Sequence, residues 1–194
     1  MPPQVKFTRE EILECAYEIA RTKGLDAVSS REVGLRIGCS TRPIFTAFKN
    51  MDEVKEEVRK MAQKCLYDIF DEAEDCKPIF KKYGIQMIRF AQKEPELFKI
   101  LFMRAHKQAE NIENIIDGMG EITKTCCDII EKDYDMTAKE ARVMFMHLWT
   151  SVYGISVMCA LKVCNFTEDE IEEMLGHEFT GMMSLFHTKS QIEP

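Results

Sequence analysis

Apolar side chains recur at spacings of three and four along almost the whole chain, and no stretch shows strand-like alternation. That period lines them up on one face of an α-helix, which constrains the chain to an all-α fold. Four pairs mark helix starts: Thr8 with Glu11, Ser29 with Glu32, Thr137 with Glu140, and Thr167 with Glu170. In each, the hydroxyl can accept from the amide three residues on, and the carboxylate can bond back to the cap. About nine helices result. The first spans residues 9–23, with Ile12, Ala16 and Ile19 inward and Gly24 ending it in a left-handed conformation. A short second helix follows Ser29 and carries Val33 and Ile37; Gly38-Cys39-Ser40 turns the chain into a short third helix holding Ile44, Phe45 and Phe48. Asn50 and Asp52 open a long fourth helix on Val54, Val58, Met61, Cys65 and Ile69, reaching toward Asp75. Pro78 and Pro95 suit first-turn positions and start helices near 78–93 and 95–107. One helix is expected to run unbroken through Ile112, Ile115, Met119, Ile122, Cys126, Ile129 and Ile130, and two long helices near 138–163 and 168–186 close the chain.

A hydrophobic share of 45% against 30% charged residues is the balance of a soluble globular protein. The opening residues Met1 to Lys6 contain no apolar secretion segment, so the cytoplasm is the expected location. The apolar run 143–161 includes His147, Thr150, Ser151, Gly154 and Ser156, all costly in lipid, and is expected to be a buried helix with no membrane partner. Eight cysteines in 194 residues are too sparse for a disulfide scaffold and are expected to be reduced. Neither they nor His106, His147, His177 and His187 show zinc-binding spacing, so no metal and no cofactor are expected. The net charge of −7 is uneven: residues 1–60 hold 11 basic against 10 acidic side chains, and residues 61–194 hold 15 against 23. A near-neutral N-terminal segment can bind phosphates if its basic residues share a face.

Residues 29–49 have the three parts of a helix-turn-helix: a capped first helix, a short turn, and a second helix with small polar and basic side chains outward. Val33, Ile37, Ile44 and Phe48 form the expected inner face, leaving Thr41, Arg42 and Thr46 to face out.

From residue 8 to 58 the order of features resembles the DNA-binding domain of the TetR/AcrR family. The resemblance lies in Thr8-Arg9-Glu10-Glu11-Ile12-Leu13 with Ala16 and Lys23-Gly24-Leu25, in Arg31-Glu32-Val33 through Ile37-Gly38-Cys39-Ser40, and in Phe45-Thr46-Ala47-Phe48 followed by Glu53 and Val54. Three positions depart from the family pattern: Phe45 replaces a tyrosine, Ala47 a frequent histidine, and Met51 a phosphate-binding lysine, for which Lys49 is the expected electrostatic substitute. The resemblance implies an N-terminal DNA-binding domain over 1–52 and a helical ligand-binding and dimerisation domain over 53–194. It further implies a regulator, usually a repressor, that binds palindromic double-stranded operator DNA as a homodimer through its last two helices and is released by a small-molecule effector. The helix starting near Ser40 would enter the major groove, Arg42 reading guanine and Thr41 or Thr46 meeting thymine methyls. Ser29 and Ser30 would hold phosphate at a helix N-terminus, and Arg31, Ser40, Phe45 and Lys49 complete the expected DNA-facing set.

In the larger domain, Met87, Phe90, Phe98, Phe102, Met103, Phe145, Met146, His147, Trp149 and Tyr153 are the candidates for an apolar effector site, with core packing the competing role for most. His147, Trp149 and Tyr153 lead because each joins an apolar body to a polar handle. No nucleophile-base set, metal motif or phosphate-cradling glycine loop appears, so catalysis is not expected. The rival reading is a helical small-molecule- or protein-binding module whose DNA binding has degraded at Phe45, Ala47 and Met51.

Overall fold

The computed structural model describes residues 7–71, 79–104 and 110–189, and every regular element among them is helical. In chain order these are α1 (Arg9–Lys23), a 3-10 turn (Leu25–Ala27), α2 (Ser30–Ile37), α3 (Arg42–Ala47), α4 (Met51–Asp71), α5 (Ile79–Lys93), α6 (Pro95–Phe102), α7 (Ile112–Gly118), α8 (Glu121–Tyr134), α9 (Ala138–Ala160) and α10 (Glu168–Lys189). Pro78, residues 72–75 at the expected end of the fourth helix, and the expected last turn at 105–107 lie outside the described residues.

The helix starts follow their local chemistry. Thr8 and Glu11 form the reciprocal cap, with the Thr8 amide donating to the Glu11 carboxylate at 2.8 Å and the Glu11 amide to the Thr8 hydroxyl at 3.1 Å. Thr137 with Glu140 and Thr167 with Glu170 do the same. Ser29 makes half of its cap, accepting from the Glu32 amide at 3.2 Å. The Glu32 carboxylate instead takes Lys23 Nζ at 2.7 Å, because a bond to a full cation is stronger than one to a neutral amide. Gly24 has a positive φ of 83° but an extended ψ of 165°, so it leads into the 3-10 turn and is no left-handed cap. The single helix expected over 112–130 is two: Gly120, at φ 57° and ψ −119°, breaks it in a region closed to other side chains. Across the break the Ile116 carbonyl accepts from the Met119 amide at 3.2 Å and from Thr123 Oγ1 at 2.7 Å.

The described residues form two compact units, one of 7–71 with 93–104 and one of 79–92 with 110–189. In the first, α1 packs against α2, α3, α4 and α6, and α4 also against α6. This unit is therefore larger than residues 1–52. Its core joins Ile12, Ala16 and Ile19 of α1 to Val33, Ile44, Phe48, Val54 and Val58, with Leu97 and Phe98 contributed by α6. Burying Phe98 completely contributes about 3 kcal/mol to holding α6 there.

In the second unit, α9 packs against α8 and α10 around Ile116, Cys126, Ile130, Met144, Phe145, Leu148, Met182 and Phe186. α5 approaches α9 closely at Gly84, where an added Cβ would stand 3.0 Å from Val152 Cγ2. Among the described residues α9 alone is long and apolar enough to cross a membrane, yet much of its apolar surface is buried within this unit.

Candidate nucleic-acid interface

The local sequence makes the α2–α3 turn tight. α2 ends at Gly38, which adopts the left-handed conformation (φ 74°, ψ 33°), and the Cys39 amide closes back on the Gly34 carbonyl at 2.8 Å. Gly34 itself is buried, and a Cβ there would lie 2.9 Å from the Cys39 carbonyl oxygen. Only glycine lets the chain double back so close to α2. α3 begins at Arg42, two residues later than expected; Thr41 caps it with helical backbone and makes no side-chain cap bond. Val33, Ile44 and Phe48 are buried as the inner face requires, whereas Ile37 is half-buried.

The outer face gathers the sequence candidates. Ser29, Arg31, Ser40, Thr41, Arg42, Phe45, Thr46 and Lys49 are exposed, and Ser30 is half-buried. Phe45 leaves 50% of its surface to solvent. The Thr46 hydroxyl donates to the Arg42 carbonyl at 3.0 Å, so its methyl and oxygen lone pairs are what it offers a partner. Residues 29–49 hold Arg31, Arg36, Arg42 and Lys49 against Glu32 alone, and Glu32 is already neutralised by Lys23. That Lys23 ammonium also holds the Glu32 carboxyl below the usual carboxylate range. No ion pair joins Arg31, Arg42 or Lys49 to another described residue, leaving these cations to solvent in a chain that is acidic overall.

Two residues that hold this face went unassigned by sequence reasoning. Arg9 donates to the Ala47 carbonyl at 2.7 Å and to Glu53 Oε1 at 3.0 Å, and its guanidinium lies 4.0 Å from the centroid of the Phe48 ring. Glu53 also accepts from the Lys49 amide at 2.7 Å. The Arg9 contacts span 38 and 44 residues, so local pattern carried no signal for them, whereas the Glu53 bond to Lys49 is local.

The effector candidates divide between the units. Phe98 is buried in the first unit, with the half-buried Phe102 ring 4.9 Å from it and Met103 exposed beyond the helix end. In the second unit Met87, Phe90 and Phe145 are buried, Met146, Trp149 and Tyr153 are half-buried, and His147 is exposed on the same stripe of α9 as Thr150 and Gly154. Trp149 and Tyr153 stack with centroids 5.1 Å apart. Trp149 Nε1 and Ser156 Oγ are buried without a hydrogen-bond partner among the described residues. No group of three or more His, Cys, Asp or Glu able to hold a metal occurs among them either.

No family model matches the chain, and no curated protein matches it. Among solved structures, it is similar to the crystal structure of a TetR-like transcriptional regulator from Rhodococcus sp. RHA1, at 11% identity and a TM-score of 0.64, over 95% of this chain and 98% of that one. The fold is thus TetR-like: all-helical, with an N-terminal helix-turn-helix followed by a larger helical domain.

Proposed function

We propose that this chain is a cytoplasmic transcriptional regulator, a repressor that binds a palindromic operator as a homodimer and is released by a small-molecule effector. The observation that carries the reading is the outer face of α2 and α3, where unpaired cations and small hydroxyl residues surround a tight turn. An exposed face of that kind suits the major groove. Arg42 presents its fork to guanine O6 and N7, and Thr41 and Thr46 present methyl groups to thymine. Ser29 and Ser30 hold phosphate at the α2 N-terminus, with Arg31, Ser40, Phe45 and Lys49 around them. Residues 1–52 read DNA, and residues 53–194 bind the effector and dimerise.

Dimerisation through α9 and α10 is supported by the large apolar side chains exposed on and just after them: Leu161, Val163, Met174 and Leu185. An effector site on α9 is supported by Trp149 and Ser156, whose buried polar atoms lie seven residues apart on one stripe with Tyr153 between them. Leaving such atoms unpaired costs about 1–3 kcal/mol each, which a ligand's acceptor groups would recover. The effector acts by population shift, weakening operator binding by its preference for the DNA-incompetent state and no more.

The test is selection of bound sequences from a random duplex library at defined salt, repeated with Arg42→Ala. A palindrome that blurs at one position in the variant, by about 1–3 kcal/mol of discrimination, supports the reading. No enrichment at low salt from folded dimer refutes it in favour of a helical binding module.

A further inference from the structure

α3 is six residues long, has no side-chain bond at its N-cap, and ends at Phe48 in extended conformation with φ −133°. A helix that short has no stability of its own, so its orientation is imposed by what it touches. Arg9, at the start of α1, and Glu53, in the first turn of α4, grip the segment at which it ends. Arg9 Nη1 donates to the carbonyl of Ala47, the last residue of α3, while Nη2 donates to Glu53 and the guanidinium carbon lies over the Phe48 ring. The second Glu53 oxygen accepts from the Lys49 amide, and the Glu53 amide donates to Asn50 Oδ1 at 2.9 Å. Three consecutive residues, 47 to 49, are thereby tied to two other helices through one ion pair.

We infer that Arg9 and Glu53 are positioning residues for sequence reading: they set the angle at which α3 presents Thr41, Arg42 and Thr46 to base edges, without touching DNA themselves. The inference rests on the proposed reading of α3. A basic residue at the start of a DNA-binding domain invites a phosphate contact, but the terminal nitrogens of Arg9 are already engaged with protein acceptors. Lysine cannot replace it, since a single ammonium does not reproduce a planar fork that meets a carbonyl and a carboxylate while stacking on a ring.

Wild type, Arg9→Lys, Arg9→Gln and Glu53→Ala would be titrated across a salt series, after correction for folded active fraction, against the selected operator and a scrambled duplex of equal length. The expected result is that Arg9→Lys weakens operator binding on the order of tenfold, comparable to one mismatched base pair, and scrambled-duplex binding less than about twofold. The slope of log affinity against log salt should stay at its wild-type value in both Arg9 variants. A slope reduced by about one in Arg9→Gln makes Arg9 a phosphate ligand and overturns the inference, as does an equal effect on both duplexes. Hydrogen exchange on the DNA-free protein tests the clamp independently: the Lys49 amide should exchange faster in Arg9→Lys and Glu53→Ala while mid-α4 amides do not, and unchanged exchange overturns the clamp itself. If exchange responds as expected but wild type selects no duplex, the DNA reading falls and takes the positioning role with it.

Discussion

Gly34→Ala separates the demands of α2 from those of the turn. Inside a helix, alanine is favoured over glycine by about 1 kcal/mol, so helix propensity alone makes the variant more stable. The turn opposes it. The new methyl would stand 2.9 Å from the Cys39 carbonyl oxygen and 3.6 Å from the Ser40 carbonyl carbon, both backbone atoms. No side chain can swing aside, and the turn is pinned by the 2.8 Å bond from the Cys39 amide to the Gly34 carbonyl. Relief requires Cys39 and Ser40 to move several tenths of an ångström, at an overpacking cost of about 1–3 kcal/mol. Net destabilisation is then only about 0–2 kcal/mol. The displacement falls between α2 and α3, however, so the loss of operator affinity should exceed the loss of stability and approach that of one base contact, about 1–3 kcal/mol. Gly38→Ala is the control: nothing stands within 4 Å of its Cβ, so it carries the strain of a φ of 74° without the clash. That strain is about 1–2 kcal/mol and leaves the Cys39 contact untouched. Urea unfolding gives the stabilities, and operator titration corrected for folded fraction gives the affinities. Gly34→Ala that is more stable than wild type and binds operator equally well would refute the argument that the close approach shapes the proposed reading face.

The Glu53 carboxyl is held below its ordinary value of 4.5, first by the Lys49 amide and then by the Arg9 guanidinium. Its contribution to stability should therefore be complete above 4.5 and disappear as pH falls through the lower native value, so the stability difference between wild type and Glu53→Gln should shrink on acidification; a difference that widens reverses the assigned sign. Among the thiols, burial pushes Cys126 up to about 12, whereas Cys164 is exposed. A thiol-specific reagent under mildly alkaline native conditions should modify Cys164 first and reach Cys126 only on unfolding, and rapid native labelling retained in Cys164→Ser but abolished in Cys126→Ser would contradict the burial.

The division between what sequence reveals and what it hides follows the range of the interaction concerned. α1 runs Arg9–Lys23, as its apolar spacing and the Thr8–Glu11 cap require, because both signals are complete within a few residues. The exposed face of α2 and α3 is legible for the same reason. The break between α7 and α8 is not, because Ile115, Met119 and Ile122 keep helical spacing across it; the deciding feature is the backbone of Gly120, which leaves no mark on hydrophobic periodicity. At Ser29 the cap was legible but its return bond was not, since Glu32 pairs with Lys23 from the preceding helix. The largest gap concerns the aromatic and methionine residues. Phe98 and Phe145 look alike as apolar residues on helical faces, yet α6 carries Phe98 into the first unit's core and α9 carries Phe145 into the second's, while Trp149, set apart in sequence by its polar handle, keeps a buried, unpaired indole N–H. Only packing separates a ring that fills a core from one that could receive a ligand. The same holds for Arg9: nothing near it in sequence says whether it meets a phosphate or a protein carbonyl, and its partner Ala47 lies 38 residues away. The residues proposed to read DNA are therefore revealed by local pattern, whereas those proposed to aim them are revealed only by the fold.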